Sequence, residues 1–147
     1  MKVNGKLRYL WRAVDHEGEV REAVVTSKGN KAAALKLLKR IVKKYGRPRT
    51  IVTDGVRAYS AAMREVGNAD RQEVGGRLNN RAENSHQPFR RRERAVQQFR
   101  SMKTLQKFSS VHAQVHNYFN RERHLVTRQV YKQRRSAALA EWRALAA

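Results

Sequence analysis

Residues 6–26, KLRYLWRAVDHEGEVREAVVT, contain two alternating segments separated by a glycine-containing turn. From Leu7 to Ala13 an apolar side chain occupies every second position, which predicts a strand with one strongly buried face. Residues 19–26 alternate in the same way, and Gly18 lies in the turn between the two segments. The pattern therefore predicts an antiparallel hairpin at the amino-terminal end of the fold.

A second turn signal lies immediately upstream of this hairpin. Residues 3–6, VNGK, contain the Asn-Gly pair that favours a two-residue hairpin turn. Only Lys2 and Val3 stand between Met1 and that pair. We therefore expect a first strand that lacks its beginning.

Helix and strand patterns continue downstream of the hairpin. In chain order they predict a helix capped by Asn30 and ended by Gly46, a buried strand at 50–54, a helix at 59–66, a short strand at 71–74, an amphipathic helix at 102–119 and a final helix at about 137–146. Trp11 and Trp142 are expected to anchor the core. This order predicts an α/β fold with a mixed sheet, flanking helices and a helical C-terminal part.

The charge of the chain restricts the class of partner. The 147 residues include 33 Lys and Arg against 12 Asp and Glu, a net charge of +21, while 40% of the residues are hydrophobic. Such a chain can fold around a core and favours a polyanionic partner. It contains no cysteine, which excludes disulfides and cysteine-based zinc sites. No segment has the length of a membrane span or a signal peptide, so we expect a cytoplasmic protein.

Two carboxylates lie where metal chemistry could occur. Asp54 follows the buried strand at 50–54, and the carboxyl ends of strands are where α/β sheets bind ligands. Glu83 lies near the start of a predicted helix in a strongly basic segment. Each residue also has a simpler interpretation, Asp54 as a turn cap and Glu83 as a surface ion-pair partner. Together they would supply the hard oxygen ligands that Mg²⁺ prefers.

The chain also resembles a known family over nearly its whole length. The matching segments are NGKLRYLWRAVDHEGEV (4–20), KAAALKLLKR (31–40), VTDGVRAYSAAMREVG (52–67), NNRAENSHQPFRRRER (79–94), RSMKTLQKFSSVHAQVHNYFNRERHL (100–125) and RRSAALAEWR (134–143). They resemble the bacterial DDE transposases of the insertion-sequence-six family. The block at 79–94 is specific to that family.

The resemblance implies a fold and a reaction. It implies a ribonuclease H-like, retroviral integrase-type core at residues 1–97 and a helical extension at 98–147. A DDE site in this family uses two Mg²⁺ or Mn²⁺ ions for DNA cleavage and strand transfer. By the resemblance, Asp54 is the second carboxylate of the triad and Glu83 the third. The implied partners are transposon-end and target DNA, together with further copies of the chain.

A basic surface is expected beside Glu83. The helix that begins there would present its cations to DNA phosphates. The alternative is that its basic face is only solvated and aids solubility. The candidate DNA-binding residues are Asn80, Arg81, Arg90, Arg91, Arg92, Arg94, Arg100 and Lys103. His112 and His116 lack the intervening Glu of a HExxH motif, so we expect them to pack rather than to bind zinc.

One departure from the family pattern concerns the first carboxylate. In the family it lies in the strand before the NGK turn, a position that would fall upstream of Met1. Asp15 is interpreted as a turn residue rather than a substitute. We therefore expect an N-terminally shortened and inactive form, with DNA binding or the poisoning of full-length subunits as the alternative function. A basic nucleic-acid binder unrelated to transposition is a third possibility.

Overall fold

A computed structural model of the chain describes residues 1–75, 77–96, 99–121, 123 and 125–147. The strands within these ranges are β1 (Lys2–Val3), β2 (Lys6–Leu7), β3 (Tyr9–Val14), β4 (Val20–Thr26), β5 (Ile51–Thr53) and β6 (Gln72–Val74). The helices are α1 (Lys31–Tyr45), α2 (Arg57–Val66), α3 (Asn80–Val96), α4 (Met102–Phe119) and α5 (Arg128–Ala146). The element types follow the predicted order, so the mixed α/β class is confirmed.

Both predicted amino-terminal turns are present. β3 and β4 pair antiparallel, with Trp11 opposite Val24, and form the ribbon around which the helices pack. β1 and β2 pair across Asn4 and Gly5, whose φ angles of 48° and 74° are the positive values that such a two-residue turn requires. The Asn-Gly signal therefore predicted this turn correctly.

The strands do not join into one mixed sheet within the described ranges. They form three two-stranded ladders, β1–β2, β3–β4 and the parallel pair β5–β6. The two-residue strand β1 pairs along its length only with β2, and Val3 adds a single bridge to Phe99. So short a strand cannot provide a ladder that links the ribbon to β5.

Helices cover both faces of the ribbon. On one face, Trp11 and Val24 pack against α1 and α2 in a cluster that includes Leu37 and Leu38. Burying an aliphatic side chain of this size contributes about 1.5–3 kcal/mol, so this cluster is a major source of stability. On the other face, Val25 packs against α3 and α4 in a second cluster. The prediction of one strongly buried face is therefore incomplete, because β3 is covered on both sides.

Side-chain amides of α4 occupy the free edge of β4. Gln106 accepts a hydrogen bond from the Val25 N–H at 2.8 Å and donates one to the Ala23 carbonyl at 2.8 Å. Asn117, three turns later, accepts from the Val20 N–H at 2.8 Å and donates to the Val20 carbonyl at 2.9 Å. Helix α4 thus runs antiparallel to β4 and satisfies edge groups that another strand would otherwise pair with.

The C-terminal helix differs most from the prediction. α5 begins at Arg128 after the Thr127 cap, about nine residues before the predicted start, because the Thr127 side chain accepts a hydrogen bond from the Val130 N–H. No α5 residue is buried, and Trp142 is 47% exposed where it meets Tyr118 and Phe119 of α4. The prediction that Trp142 anchors the core is therefore wrong, whereas Trp11 does so.

None of the helices in the described ranges is long and apolar enough to cross a membrane.

Candidate active site

Asp54 lies at the carboxyl end of β5, as the sequence predicts. Its side chain is exposed, and its Oδ1 accepts a hydrogen bond of 3.2 Å from the Val56 N–H. This bond caps the turn that leads into α2, so the simpler interpretation of Asp54 holds for one oxygen. The Oδ2 atom forms no hydrogen bond with the described residues and is open to a ligand.

The residue after Asp54 is restricted by its backbone. Gly55 has φ 84°, and a Cβ at this position would lie 3.3 Å from Val74 Cγ1 of β6. A residue with a side chain would be strained in this conformation. The close pairing of β5 and β6 therefore fixes the direction in which the chain leaves Asp54.

Glu83 lies in the first turn of α3 and is exposed. No hydrogen bond or ion pair engages its carboxylate within the described ranges. The expected ion-pair partners are engaged elsewhere, since Arg81 donates to the His16 carbonyl and Arg90 Nη1 lies 3.6 Å from Glu93 Oε2. The ion-pair interpretation of Glu83 is therefore not supported.

A continuous path of backbone hydrogen bonds connects the two carboxylate positions. The Gly75 N–H donates to the Thr53 carbonyl at 3.4 Å, next to Asp54. The Asn79 N–H then donates to the Gly75 carbonyl, and the Glu83 N–H to the Asn79 carbonyl, each at 3.1 Å. The start of α3 is thereby tied to the carboxyl end of β5, although residue 76 of this connection lies outside the described residues.

The outer face of α3 is polar along its length. Phe89 and Ser85 are buried on the inner face. Positions 83, 87, 90 and 94 recur at helical spacing, so they form a stripe on the opposite face that joins Glu83 to Arg90 and Arg94. All eight candidate DNA-binding residues are exposed: Asn80, Arg81, Arg90, Arg91, Arg92, Arg94, Arg100 and Lys103. The first six lie on α3, Lys103 lies in the first turn of α4, and Arg100 lies in the connection between these helices, where Gln97 and Gln98 are outside the described residues.

Sequence reasoning did not single out Arg12, which the structure places in the interior. It lies on β3, is only 9% exposed, and donates through Nη1 to the Ser85 carbonyl of α3 at 2.8 Å. Its guanidinium also lies 5.6 Å from the centre of the Phe89 ring, while Nη2 is buried without a partner among the described residues. Burial lowers the pKa of Arg12 to about 10. Alternation alone placed Arg12 on the face of β3 opposite the strongly buried one, and only the packing of α3 shows that this face is also covered.

Three histidines line the same interior region. Burial, reinforced by the positive charge of Arg12, lowers the pKa of His86 and of His112 to about 4 each, and also lowers the pKa of His116. His112 stacks on His116 with ring centres 6.2 Å apart and meets Phe89 edge to face at 5.3 Å. The packing interpretation of His112 and His116 fits these contacts, and neither belongs to a potential metal-binding group within the described ranges.

Asp15 has the structural role that was expected. Its Oδ1 accepts the N–H groups of Glu17 and Glu19 at 2.9 Å, and its Oδ2 lies 2.5 Å from Arg21 Nη2. Among the described residues, Asp15, Glu17 and Glu19 are the group of three acidic side chains close enough to share a metal ion. The Asp15 carboxylate is already occupied by the turn and by Arg21, so the turn explains this cluster.

Comparison with known proteins agrees with the resemblance noted in the sequence. Residues 1–122 match a family described as a DDE domain. The chain is 29% identical over 119 residues to the transposase for insertion sequence-like element IS431mec of Staphylococcus aureus. It has the same identity to the transposase for insertion sequence element IS257 in transposon Tn4003 of that species.

These alignments cover 77% of this chain and 53% of each relative, so the chain spans about half the length of the curated relatives it matches. No solved structure matches it. The family match includes both candidate carboxylates and the whole of α3. The chain therefore belongs to the DDE transposases of the insertion-sequence-six family.

Proposed function

We propose that this chain is the catalytic domain for metal-dependent DNA transposition, built on a ribonuclease H-like core. The backbone path from Thr53 to Glu83 carries the proposal, because it ties a strand-end Asp to a helix-borne Glu. The order of elements supports the fold, since an antiparallel ribbon is followed by a helix and by strands that pair in parallel. The core would comprise residues 1–97 and the helical extension 98–147, a boundary that lies outside the described residues.

A DDE domain implies a divalent metal, and the two candidate residues fit one chemically. Carboxylate oxygens are the hard ligands that Mg²⁺ and Mn²⁺ prefer. Glu83 has no protein partner within the described ranges, and Asp54 keeps one oxygen without a hydrogen bond. Asp54 and Glu83 would therefore hold the metal, with two ions expected at a complete site. When bound, the metal would activate the attacking oxygen and stabilise charge at phosphorus.

DNA is the proposed substrate. The stripe on α3 places Arg90 and Arg94 on the same helix face as Glu83, so phosphates held by these arginines would lie beside the carboxylate. Phosphate contacts position a duplex without reading its sequence. We propose transposon-end and target DNA as the two substrates, a homo-oligomer as the assembly that joins them, and the bacterial cytoplasm and nucleoid as the location.

Asp54 and Glu83 would supply two of the three carboxylates that a DDE site uses. We propose that this chain by itself neither cleaves nor joins DNA. The alternative function is binding alone, either to DNA or to full-length subunits whose assembly it would block. The outer face of α3 favours DNA binding in either case, because its cations are exposed whether or not the metal site is complete.

Calorimetric titration of Mn²⁺ into the protein tests the metal site. We expect Asp54→Asn and Glu83→Gln each to weaken Mn²⁺ binding at least about tenfold, because each removes a charged ligand. Asp70→Asn is the matched control, since Asp70 is an exposed carboxylate outside the candidate site. Equal Mn²⁺ affinity in all four proteins would overturn the metal assignment.

The salt dependence of duplex binding tests the DNA assignment separately. Each neutralised phosphate contributes about 0.9 to the slope of log K against log salt. We expect the triple variant Arg90→Gln, Arg91→Gln, Arg94→Gln to reduce that slope by roughly 0.9 for each phosphate that is no longer neutralised. A wild-type protein whose affinity does not change with salt would contradict DNA as the substrate.

A further inference from the structure

A cleft of about 700 Å³ lies against β4 of the ribbon, and its lining includes neither Asp54 nor Glu83. One wall is α1, the floor is β4 at Val24 and Val25, and the other wall is α4 at Gln106 and Ser110. The amide bonds of Gln106 to β4 fix the second wall, so the cleft is set by the packing of three elements. We call this feature the α1–α4 cleft.

Charge in the α1–α4 cleft is strongly unbalanced. Its lining contains four cations and one carboxylate: Lys36, Arg40, Lys43, Lys44 and Glu22. Arg40 Nη1 lies 3.5 Å from Glu22 Oε1, so this pair neutralises the carboxylate. The three lysines make no ion pair with the described residues. The cleft therefore presents an uncompensated positive surface.

The spacing of these cations suits a backbone of phosphates. Lys36, Arg40 and Lys43 follow one another at four and three residues, so they form a single stripe on α1. At 1.5 Å per residue, Lys36 and Lys43 are separated by roughly 10 Å along the helix axis. Duplex DNA presents about one phosphate charge per 1.7 Å of its axis, both strands together, so several phosphates fall within that span.

We propose that the α1–α4 cleft is a second DNA-binding surface that holds a segment of duplex backbone separately from α3. The proposal rests on the proposed function for the identity of the polyanion. α3 contacts β3 at Arg12, whereas the lining of the cleft comes from α1, β4 and α4, so the two surfaces are formed by different elements of the fold. Two separate surfaces would let one chain engage two duplex segments, as the joining of two DNA molecules requires.

The alternative is that the basic stripe is only the solvated face of an amphipathic helix. A solvated stripe would contribute to DNA binding only through net charge, in the same way as any other exposed cations. A variant that removes three cleft lysines must therefore be compared with one that removes three cations elsewhere.

The test is the affinity for a 20-base-pair duplex, measured by fluorescence anisotropy at several salt concentrations. The cleft variant is Lys36→Gln, Lys43→Gln, Lys44→Gln, which keeps the Arg40–Glu22 pair. The control is Arg47→Gln, Arg49→Gln, Arg64→Gln, which makes the same change in net charge at exposed positions outside the cleft. We expect the cleft variant to lower the salt slope by about 0.9 for each phosphate that is no longer neutralised and the control to leave it nearly unchanged.

Combination with the α3 triple variant separates this proposal from the proposed function. Slope reductions that add in the combined variant support two separate surfaces. A cleft variant that matches the control overturns the second surface, and the DNA assignment stands if the α3 variant still lowers the slope. The second surface is also overturned if the combined variant reduces the slope no more than the α3 variant does. If the affinity of the wild type does not depend on salt, both proposals are overturned.

A second measurement does not depend on the folding of the triple variant. The chain has no cysteine, so Ser110→Cys introduces a single thiol on the α4 wall of the cleft. We expect coupling of a bulky maleimide polymer to this thiol to weaken duplex binding several-fold. The same adduct at Ser136→Cys, on the exposed surface of α5, should have no effect. Equal affinity of the two adducts would overturn the proposal.

Discussion

The two faces of the β3–β4 ribbon are covered by helices but differ in chemistry. The face towards α1 and α2 is packed with Leu37, Leu38 and Met63, each almost completely buried. The face towards α3 and α4 contains aromatic side chains together with Arg12 and the histidines His86, His112 and His116. The first face is a source of stability, whereas the second combines packing with polar groups whose burial costs free energy.

This difference corresponds to what each face positions. The face towards α1 and α2, which we call the apolar face, holds these two helices on either side of β5 in the chain. The face towards α3 and α4, which we call the mixed face, holds α3. There Arg12 donates a hydrogen bond to the carbonyl of Ser85, two residues after Glu83. Both ends of the candidate active site therefore depend on the ribbon, but only one end depends on a buried charge.

The largest expected effect lies on the apolar face. Leu37→Ala removes a side chain that is 2% exposed, so we expect it to lower the free energy of unfolding by about 2–5 kcal/mol through reduced burial and a cavity. Urea denaturation measures the change. Leu145→Ala is the control, because Leu145 is 87% exposed and should change the free energy by less than about 0.5 kcal/mol. Similar decreases in the two variants would show that α1 is not part of the main core.

A smaller expected effect is a pH dependence of stability that arises on the mixed face, from its buried histidines. The pKa of His86 and of His112 is about 4 in the folded chain and 6.5 in a model peptide, so the unfolded chain binds more protons between these values. Stability is then fully present above about pH 6.5 and is lost as the pH falls towards 4. We expect Tm to fall by several degrees between pH 7 and pH 5, as measured by calorimetry.

A matched pair of variants tests whether the pH dependence of Tm comes from the histidines of the mixed face. His112→Phe keeps an aromatic ring between Phe89 and Phe108 but removes one titrating group, so its Tm should depend less on pH than that of the wild type. His16→Gln, at an exposed position of the β3–β4 turn, should retain the wild-type pH dependence. If the two variants behave alike, the pH dependence does not arise from the mixed face.

The apolar face could be predicted from the sequence because its signals are local. Helical spacing identified α1, and the Asn30 cap and Gly46 stop marked its ends as the structure has them. Asp54 and Glu83 were likewise placed at a strand end and a helix start by nearby turn and helix signals. Local patterns can do this because each depends on residues a few positions apart.

The mixed face could not be predicted because its contacts are distant in sequence. Arg12 meets Ser85 across 73 residues, and Asn117 meets Val20 across 97 residues. Neither pair has a periodic signal, and alternation placed Arg12 only on the face of β3 opposite the strongly buried one. The start of α5 was missed for a different reason, since residues 128–136 are mostly polar and no residue of this helix is buried.

The smallest expected effect concerns Arg12 itself. Arg12→Met removes the hydrogen bond to the Ser85 carbonyl and the contact with the Phe89 ring, but it also removes the buried Nη2 that has no partner in the described ranges. Replacing a buried charge with an apolar group of similar volume is often neutral. We therefore expect the free energy of unfolding, measured by urea denaturation, to change by less than about 1 kcal/mol. A decrease above about 2 kcal/mol would show that the guanidinium itself stabilises the mixed face, and the two faces would then differ less than their composition indicates.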